Sequence, residues 1–237
     1  MMTYLIHTCP DRRWYVDKYL VPQMTEQGIR TCDIFIYEGS KGNLTDYRDS
    51  LTTLFAFLDY LYLLDNEPIW HLQDDIVLSP SFAAETQKDY DGIVCGACIV
   101  ADNEDVEGTD GFVHADKMWW SFQCIRIPTK FSREFLEWLD FRYQNDFFMR
   151  MTIQTNRNDD MLFKQFLWDK HPDEWILNLK PNIVEHVDYL LGGSVINQRR
   201  PEQIRARYFE DFQVIEELKE KLRGRYEKDD PHEDELK

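Results

Sequence analysis

Apolar and polar positions alternate along the chain in short blocks of two kinds. Thr3 to Thr8 is a compact apolar run of strand length, followed by a polar loop, Cys9-Pro10-Asp11-Arg12-Arg13, and a helix-like stretch to about Met24. Cys32 to Tyr37 predicts a second strand, closing at Glu38-Gly39, and a turn around Gly42-Asn43 comes next. Thr45 to Leu64 carries Leu51, Leu54, Phe55, Leu58, Leu61 and Tyr62 at three- and four-residue spacing, one stripe of a helix that Pro68 stops. Ile69 to Leu78 predicts a buried strand, Ser81 to Lys88 a helix, and Gly92 to Val100 a further strand. Asp102 to Asp116 is polar and reads as a long loop.

The later half repeats the theme less regularly. Met118 to Ile127 predicts a strand closed by Pro128. Helices are expected at Ser132 to Phe141 and Asp159 to Trp168, with a short strand at Trp175 to Leu179. The final helix, near Glu202 to Leu222, puts Phe212, Ile215, Leu218 and Leu222 in register. Strands alternating with helices predict an α/β fold, a mixed sheet flanked by helices in a single domain. The charged stretch from Tyr226 to Lys237 lacks apolar periodicity, so the domain is expected over 1–223 and a solvated, disordered tail over 224–237.

Composition narrows the function classes. Of 237 residues, 43% are hydrophobic and 14% aromatic, enough for a packed core. The net charge of −17 sets the surface at large against nucleic acid, because phosphate binding needs Lys and Arg. The one basic cluster is Arg199, Arg200, Arg205 and Arg207, which also reads as the solvated start of a helix. No run is long and apolar enough for a transmembrane helix, and the N-terminal residues read as a strand rather than a signal peptide; the expected compartment is the cytoplasm. Five scattered cysteines fit that reducing environment. Cys95 and Cys98 have Cys-x-x-Cys spacing, but in a strand they point to opposite faces and do not converge on zinc.

Four places carry candidate chemistry. Asp74 and Asp75 follow the apolar run Ile69-Trp70-His71-Leu72, and a strand that delivers two carboxylates into a cleft suits a hard divalent cation, Mg²⁺ or Mn²⁺. The same pair is also what a solvated turn contains. Asn158-Asp159-Asp160 opens an apolar helix, as a cap or as a general base. His186 closes the short run after Pro181, as a core residue or as a neutral imidazole ligand. Trp119 and Trp120 read either as core or as a flat platform for a sugar or base.

In this order the pieces resemble the GT-A family of glycosyltransferases, including N-acetylglucosaminyltransferase IV-like members, over most of Met2 to about Arg200. The resemblance rests on the first strand with its Thr8 to Arg12 loop, on Gly42-Asn43 with the helix containing Arg48, on Gln73-Asp74-Asp75, and on Asn158-Asp159-Asp160 followed by Pro181 to His186 and Gly192-Gly193-Ser194. It implies a Rossmann-type GT-A-like sheet and a metal-dependent transfer of sugar from a nucleotide-diphospho-sugar, UDP-linked, with Mn²⁺ or Mg²⁺ as cofactor. It implies Asp75 and His186 as metal ligands, with Asp74 beside them toward the donor's ribose or sugar. Thr8, Arg12, Glu38 and Arg48 match positions that hold the nucleotide, Asp160 or Asp159 matches the acceptor's base, and Arg199 and Arg200 are phosphate candidates. Trp119 and Trp120 stand as acceptor-side residues. The sequence departs from the family's Asp-x-Asp at Gln73.

With an available base the expected course is single displacement with inversion. The acceptor class is open between a glycan, a protein and a modified nucleobase, including hydroxymethylated DNA of a phage. Two other readings share the layout. A sugar-phosphate nucleotidyltransferase needs a Gly-rich basic loop after the first strand, and Cys9 to Arg13 has no glycine. A non-catalytic nucleotide-sugar-binding protein keeps the fold without the chemistry.

Overall fold

The structure is a computed structural model of the chain, and it describes residues 2–38, 69–97, 112–114, 122–147, 159–192 and 208–223. The expected helix at 45–64 lies outside these residues, as do Cys98 and the tail.

The first strand, β1 (Thr3–Thr8), has the expected bounds. The helix α1 covers residues 13–26, with Arg13–Tyr15, a wider π-helical turn Val16–Leu20, and Val21–Glu26 following one another. It ends at Gly28, whose φ of +90° suits a residue without a Cβ; the next N–H, of Ile29, bonds back to the Met24 carbonyl at 3.1 Å. Then follow β2 (Ile34–Glu38), β3 (Ile69–Gln73), β4 (Ile76–Leu78), the short helix α2 (Phe82–Thr86) and β5 (Ile93–Cys95). The later elements are β6 (Phe112–His114), β7 (Cys124–Ile127), α3 (Thr129–Asn145), α4 (Asp159–Lys170), β8 (Trp175–Asn178), β9 (Val184–His186) and α5 (Phe212–Leu222).

Among the described residues, seven strands form one mixed sheet in the order β2-β1-β3-β7-β5-β8-β6. β2, β1 and β3 are parallel, the Rossmann-like part, while β7 runs antiparallel to both β3 and β5. Successive side chains point to opposite faces, and most strand residues are buried on both. Tyr4, Ile6, Trp70, Leu72, Val94 and Cys124 pack on one face with α1, α5 and the β4–β9 ribbon. Ile93, Cys95, Ile125, Ile127 and Ile176 pack on the other with α3 and α4. There the helices interlock through aromatic rings, Phe135 meeting Phe163 edge-on at 5.1 Å.

Three expectations need correction. Ile69 to Leu78 is two strands in two sheets: the chain bends at Asp74 and Asp75, and β4 leaves the main sheet to pair with β9. A continuous buried strand would aim one of two adjacent carboxylates into each apolar layer, whereas the bend gathers both at the carboxyl end of β3. Within the stretch expected to be a loop, Phe112–His114 pairs with β8 and closes one side of the sheet. The last helix begins at Phe212 rather than near Glu202, residues 208–211 being non-helical; Ile215, Leu218 and Leu222 are buried as expected, but Phe212, at its first turn, is exposed.

Candidate metal centre

Strand order fixes where the candidate side chains meet. In the parallel part, Thr8 lies opposite Glu38 and His7 opposite Gln73, so three strands end side by side. Ligands of open α/β sheets bind at such carboxyl ends. The chain then turns out of the sheet. The Val187 N–H donates to the Asp75 carbonyl at 2.8 Å, and Ile76 pairs with His186. This antiparallel ribbon brings residues more than a hundred positions apart into contact. Two bonds hold it in place. The Tyr15 hydroxyl donates to the Ile76 carbonyl at 2.8 Å, and the Ile183 N–H donates to the Gly96 carbonyl at 2.8 Å.

At the ribbon's open end, Asp75, His186 and Asp188 offer ligand atoms that all lie within 4.8 Å of one another. His186 Nε2 and Asp75 Oδ2 are 3.3 Å apart. The other oxygen, Asp75 Oδ1, is out of contact with solvent and has no hydrogen-bond partner. A buried carboxylate oxygen without a donor is costly. A hard cation bound there removes that cost, and two carboxylates with an imidazole are a donor set that Mn²⁺ or Mg²⁺ accepts. The three residues therefore fit a divalent ion.

The charges around this cluster are tightly coupled. The Arg12 guanidinium is buried and donates from Nη2 to Asp188 Oδ1 at 2.6 Å. Burial works against its charge, but Asp75 and then Asp188 and Asp74 outweigh it, so Arg12 is held more firmly protonated than usual. Burial also acts to raise Asp75; the charge and hydrogen bond of His186, followed by the charge of Arg12, reverse this and hold the carboxyl below its ordinary range. Asp74 behaves oppositely. Burial and the neighbouring Asp75 charge push its pKa up, against the Thr8 hydrogen bond and Arg12.

The structure sorts the expected residues. Asp75 and His186 come together, and Thr8 lies at the same strand ends. Asp74 is outside the cluster: its Oδ2 accepts from Thr8 Oγ1 at 2.7 Å and from the Cys9 N–H at 3.4 Å. Arg12, read from the resemblance as a nucleotide contact, donates to Asp188 beside the cluster. Glu38 is exposed at the end of β2, 3.5 Å from Arg13 Nη1. Asp159 and Asp160 open α4, and their side chains are not among the described ones. Arg48, Trp119, Trp120, Arg199 and Arg200 lie outside the described residues.

Asp188 was not singled out by the sequence, although it closes the Pro181 to Asp188 segment. Its signal is the His-x-Asp spacing. The strand ends at His186 and the chain turns at once into Asp188–Leu190, and this turn brings the Asp188 carboxylate beside His186. His71 is a buried residue of another kind. Its Nδ1 faces the Phe122 carbonyl at 3.2 Å while Nε2 has no partner, so the ring is neutral with its proton on Nδ1. Burial, then the neighbouring His7, pulls its pKa down to about 3.

No protein-family model matches the chain, and no curated protein does. Two solved structures are similar in outline. One is "A197 from STIV", 19% identical with a TM-score of 0.38, covering 78% of this chain and 85% of that one. The other is the glycosyltransferase GlyE of Streptococcus pneumoniae TIGR4, 8% identical with a TM-score of 0.44. That match covers 94% of this chain and spans 64% of GlyE's length. Among the described residues no helix is long and apolar enough to cross a membrane.

Proposed function

We propose that the chain is a metal-dependent glycosyltransferase that moves a sugar from a nucleotide-diphospho-sugar, UDP-linked, to an acceptor hydroxyl. The observation that carries this reading is the buried, partnerless Asp75 Oδ1 beside His186 and Asp188 at the carboxyl ends of parallel strands. Asp75, His186 and Asp188 are the residues that hold Mn²⁺ or Mg²⁺, with Asp74 adjoining. When bound, the ion offsets the charge that develops on the leaving nucleoside diphosphate.

The remaining roles belong to the chain's own groups. Thr8, which fixes Asp74, serves with Arg12, Glu38 and Arg48 to bind the nucleotide, and Arg199 and Arg200 are the candidates for its phosphates. Asp160, or Asp159 next to it, takes the acceptor's proton from the first turn of α4, giving inversion by single displacement. Trp119 and Trp120 are the candidates for binding the acceptor, which is a glycan, a protein or a modified nucleobase. Residues 1–223 form the catalytic domain in this reading.

The test is hydrolysis of UDP-sugars with and without Mn²⁺, in parallel with thermal unfolding. Hydrolysis of at least one UDP-sugar that EDTA abolishes, and that Asp75→Asn loses, supports the proposal. No hydrolysis, and no metal-dependent shift of the melting temperature with any nucleotide sugar, sinks it.

A further inference from the structure

We infer that Arg12 is a built-in counter-cation that makes the site a poor trap for a bare divalent ion and a good one for an ion carried with a diphosphate. This rests on the metal-site reading of Asp75, His186 and Asp188 given above. The placement of Arg12 is the ground for it. The guanidinium is buried to within a few per cent of its surface, and Nη2 lies 2.6 Å from Asp188 Oδ1, inside the set of groups offered to a metal. It reaches this place because the loop after β1 turns back at once. The Arg12 and Arg13 N–H groups both bond to the Cys9 carbonyl, at 3.0 and 2.9 Å.

The charge balance gives the consequence. With His186 neutral as a ligand and Asp74 left outside the cluster, two carboxylates and one guanidinium leave a single negative charge facing a doubly charged ion. A bare cation that enters must either displace Arg12 from Asp188 or share that carboxylate with it, and in both cases positive charge is left over in a desolvated place. Buried charge without a counter-charge is strongly disfavoured. A diphosphate supplies the missing anionic oxygens. Its oxygens would serve the ion, and a pair of phosphate oxygens suits a guanidinium fork. Arg12 then exchanges one anionic partner for another rather than losing one. Ion and diphosphate therefore bind with positive coupling, and by linkage each tightens the other by the same factor.

The experiment measures Mn²⁺ affinity from the free-ion electron paramagnetic resonance signal, with and without UDP, in the wild type, Arg12→Gln and Arg12→Lys. Binding of Mn²⁺ to UDP in solution is subtracted. The wild type should bind Mn²⁺ weakly alone and on the order of tenfold or more tightly with UDP. Arg12→Gln should bind bare Mn²⁺ roughly tenfold tighter than the wild type and lose most of the enhancement by UDP. Arg12→Lys keeps the charge and should keep the coupling. If Arg12→Gln and the wild type show the same affinity for bare Mn²⁺ and the same enhancement, the inference is overturned while the site stands. If neither binds Mn²⁺ even with UDP, the metal-site reading falls and takes the inference with it. Should Arg12→Gln not fold, the wild type carries the test through its arginine side-chain NMR signals. Mg²⁺ with UDP must move the Arg12 Nε–H resonance, and an unmoved resonance in a protein that binds the pair overturns the inference.

Discussion

Asp74 and Asp75 are adjacent in sequence and opposite in circumstance. Asp75 is kept ionised by His186 and Arg12, whereas Asp74 is pushed toward its protonated form and bonded to Thr8. Their amides should therefore behave differently. Asp75→Asn is expected to weaken Mn²⁺ binding more than about tenfold, since it removes a unit charge next to the ion. Asp74→Asn should leave Mn²⁺ affinity within about threefold, since Asp74 lies outside the cluster. A Mn²⁺ titration of the two variants decides, and equal losses would put both carboxylates on the ion. His71 gives a prediction in pH. Its folded pKa lies near 3 against about 6.5 in the unfolded chain. The unfolded state then binds the extra proton, so the stabilisation is whole above pH 6.5 and falls away as the pH drops toward 3. Between pH 7 and pH 5, His71→Leu should lose about 2 kcal/mol less stability than the wild type in urea unfolding. Parallel profiles would show that the imidazole is not neutral in the fold.

At the level of elements, the site depends on how the β4–β9 ribbon is attached. Tyr15, on α1, is fully buried and holds the Ile76 carbonyl. Tyr15→Phe strands that buried carbonyl, at a cost of about 1–3 kcal/mol in global unfolding. Its effect on Mn²⁺ binding should be comparable, because β4 carries Asp75 at its start. Gly96 makes the second attachment. Its N–H donates to the Cys124 carbonyl and its own carbonyl accepts from Ile183, at 2.8 Å each. A Cβ there would stand 2.5 Å from Cys124 Sγ and 2.8 Å from Ile183 Cγ1, both in the core. Gly96→Ala is expected to cost about 1–3 kcal/mol through overpacking. A melting temperature equal to wild type would mean that the ribbon packs more loosely than its geometry shows.

For the whole molecule, metal and donor act as ligands of the folded state alone. At a hundred times its dissociation constant a ligand adds about 2.7 kcal/mol. In a chain of 237 residues that raises the melting temperature by several degrees, about 2–4 °C per kcal/mol. Mn²⁺ with UDP should produce such a shift, EDTA should reverse it, and His186→Gln should abolish it. A shift of the same size in His186→Gln would place the ion elsewhere. The net charge of −17 bears on the acceptor at this scale as well. The surface as a whole repels nucleic acid, so a DNA acceptor would need a local basic patch, and its binding would fall steeply with salt.

Much of this was legible in the chain itself. Period-two and period-3.6 patterns located β1 to the residue and most other described elements to within a few, because burial on both faces of a sheet leaves apolar runs that local polarity cannot imitate. The same reading marked Asp75 and His186, whose residue types suit a hard cation. The break after Gln73 was hidden, because Ile76-Val77-Leu78 is as apolar as Ile69-Trp70-His71-Leu72, and nothing local says that the two runs pair with different partners. Asp188, and its pairing with Arg12, were hidden for a related reason. Their ion pair joins residues 176 positions apart, and it exists only because β9 returns beside β4 while the loop after β1 folds back at Cys9. Sequence alone determined which stretches had to be buried and which side chains could ligate an ion. Tertiary structure decided which of them share a place, since long-range strand pairing sets the distances on which the electrostatics depends.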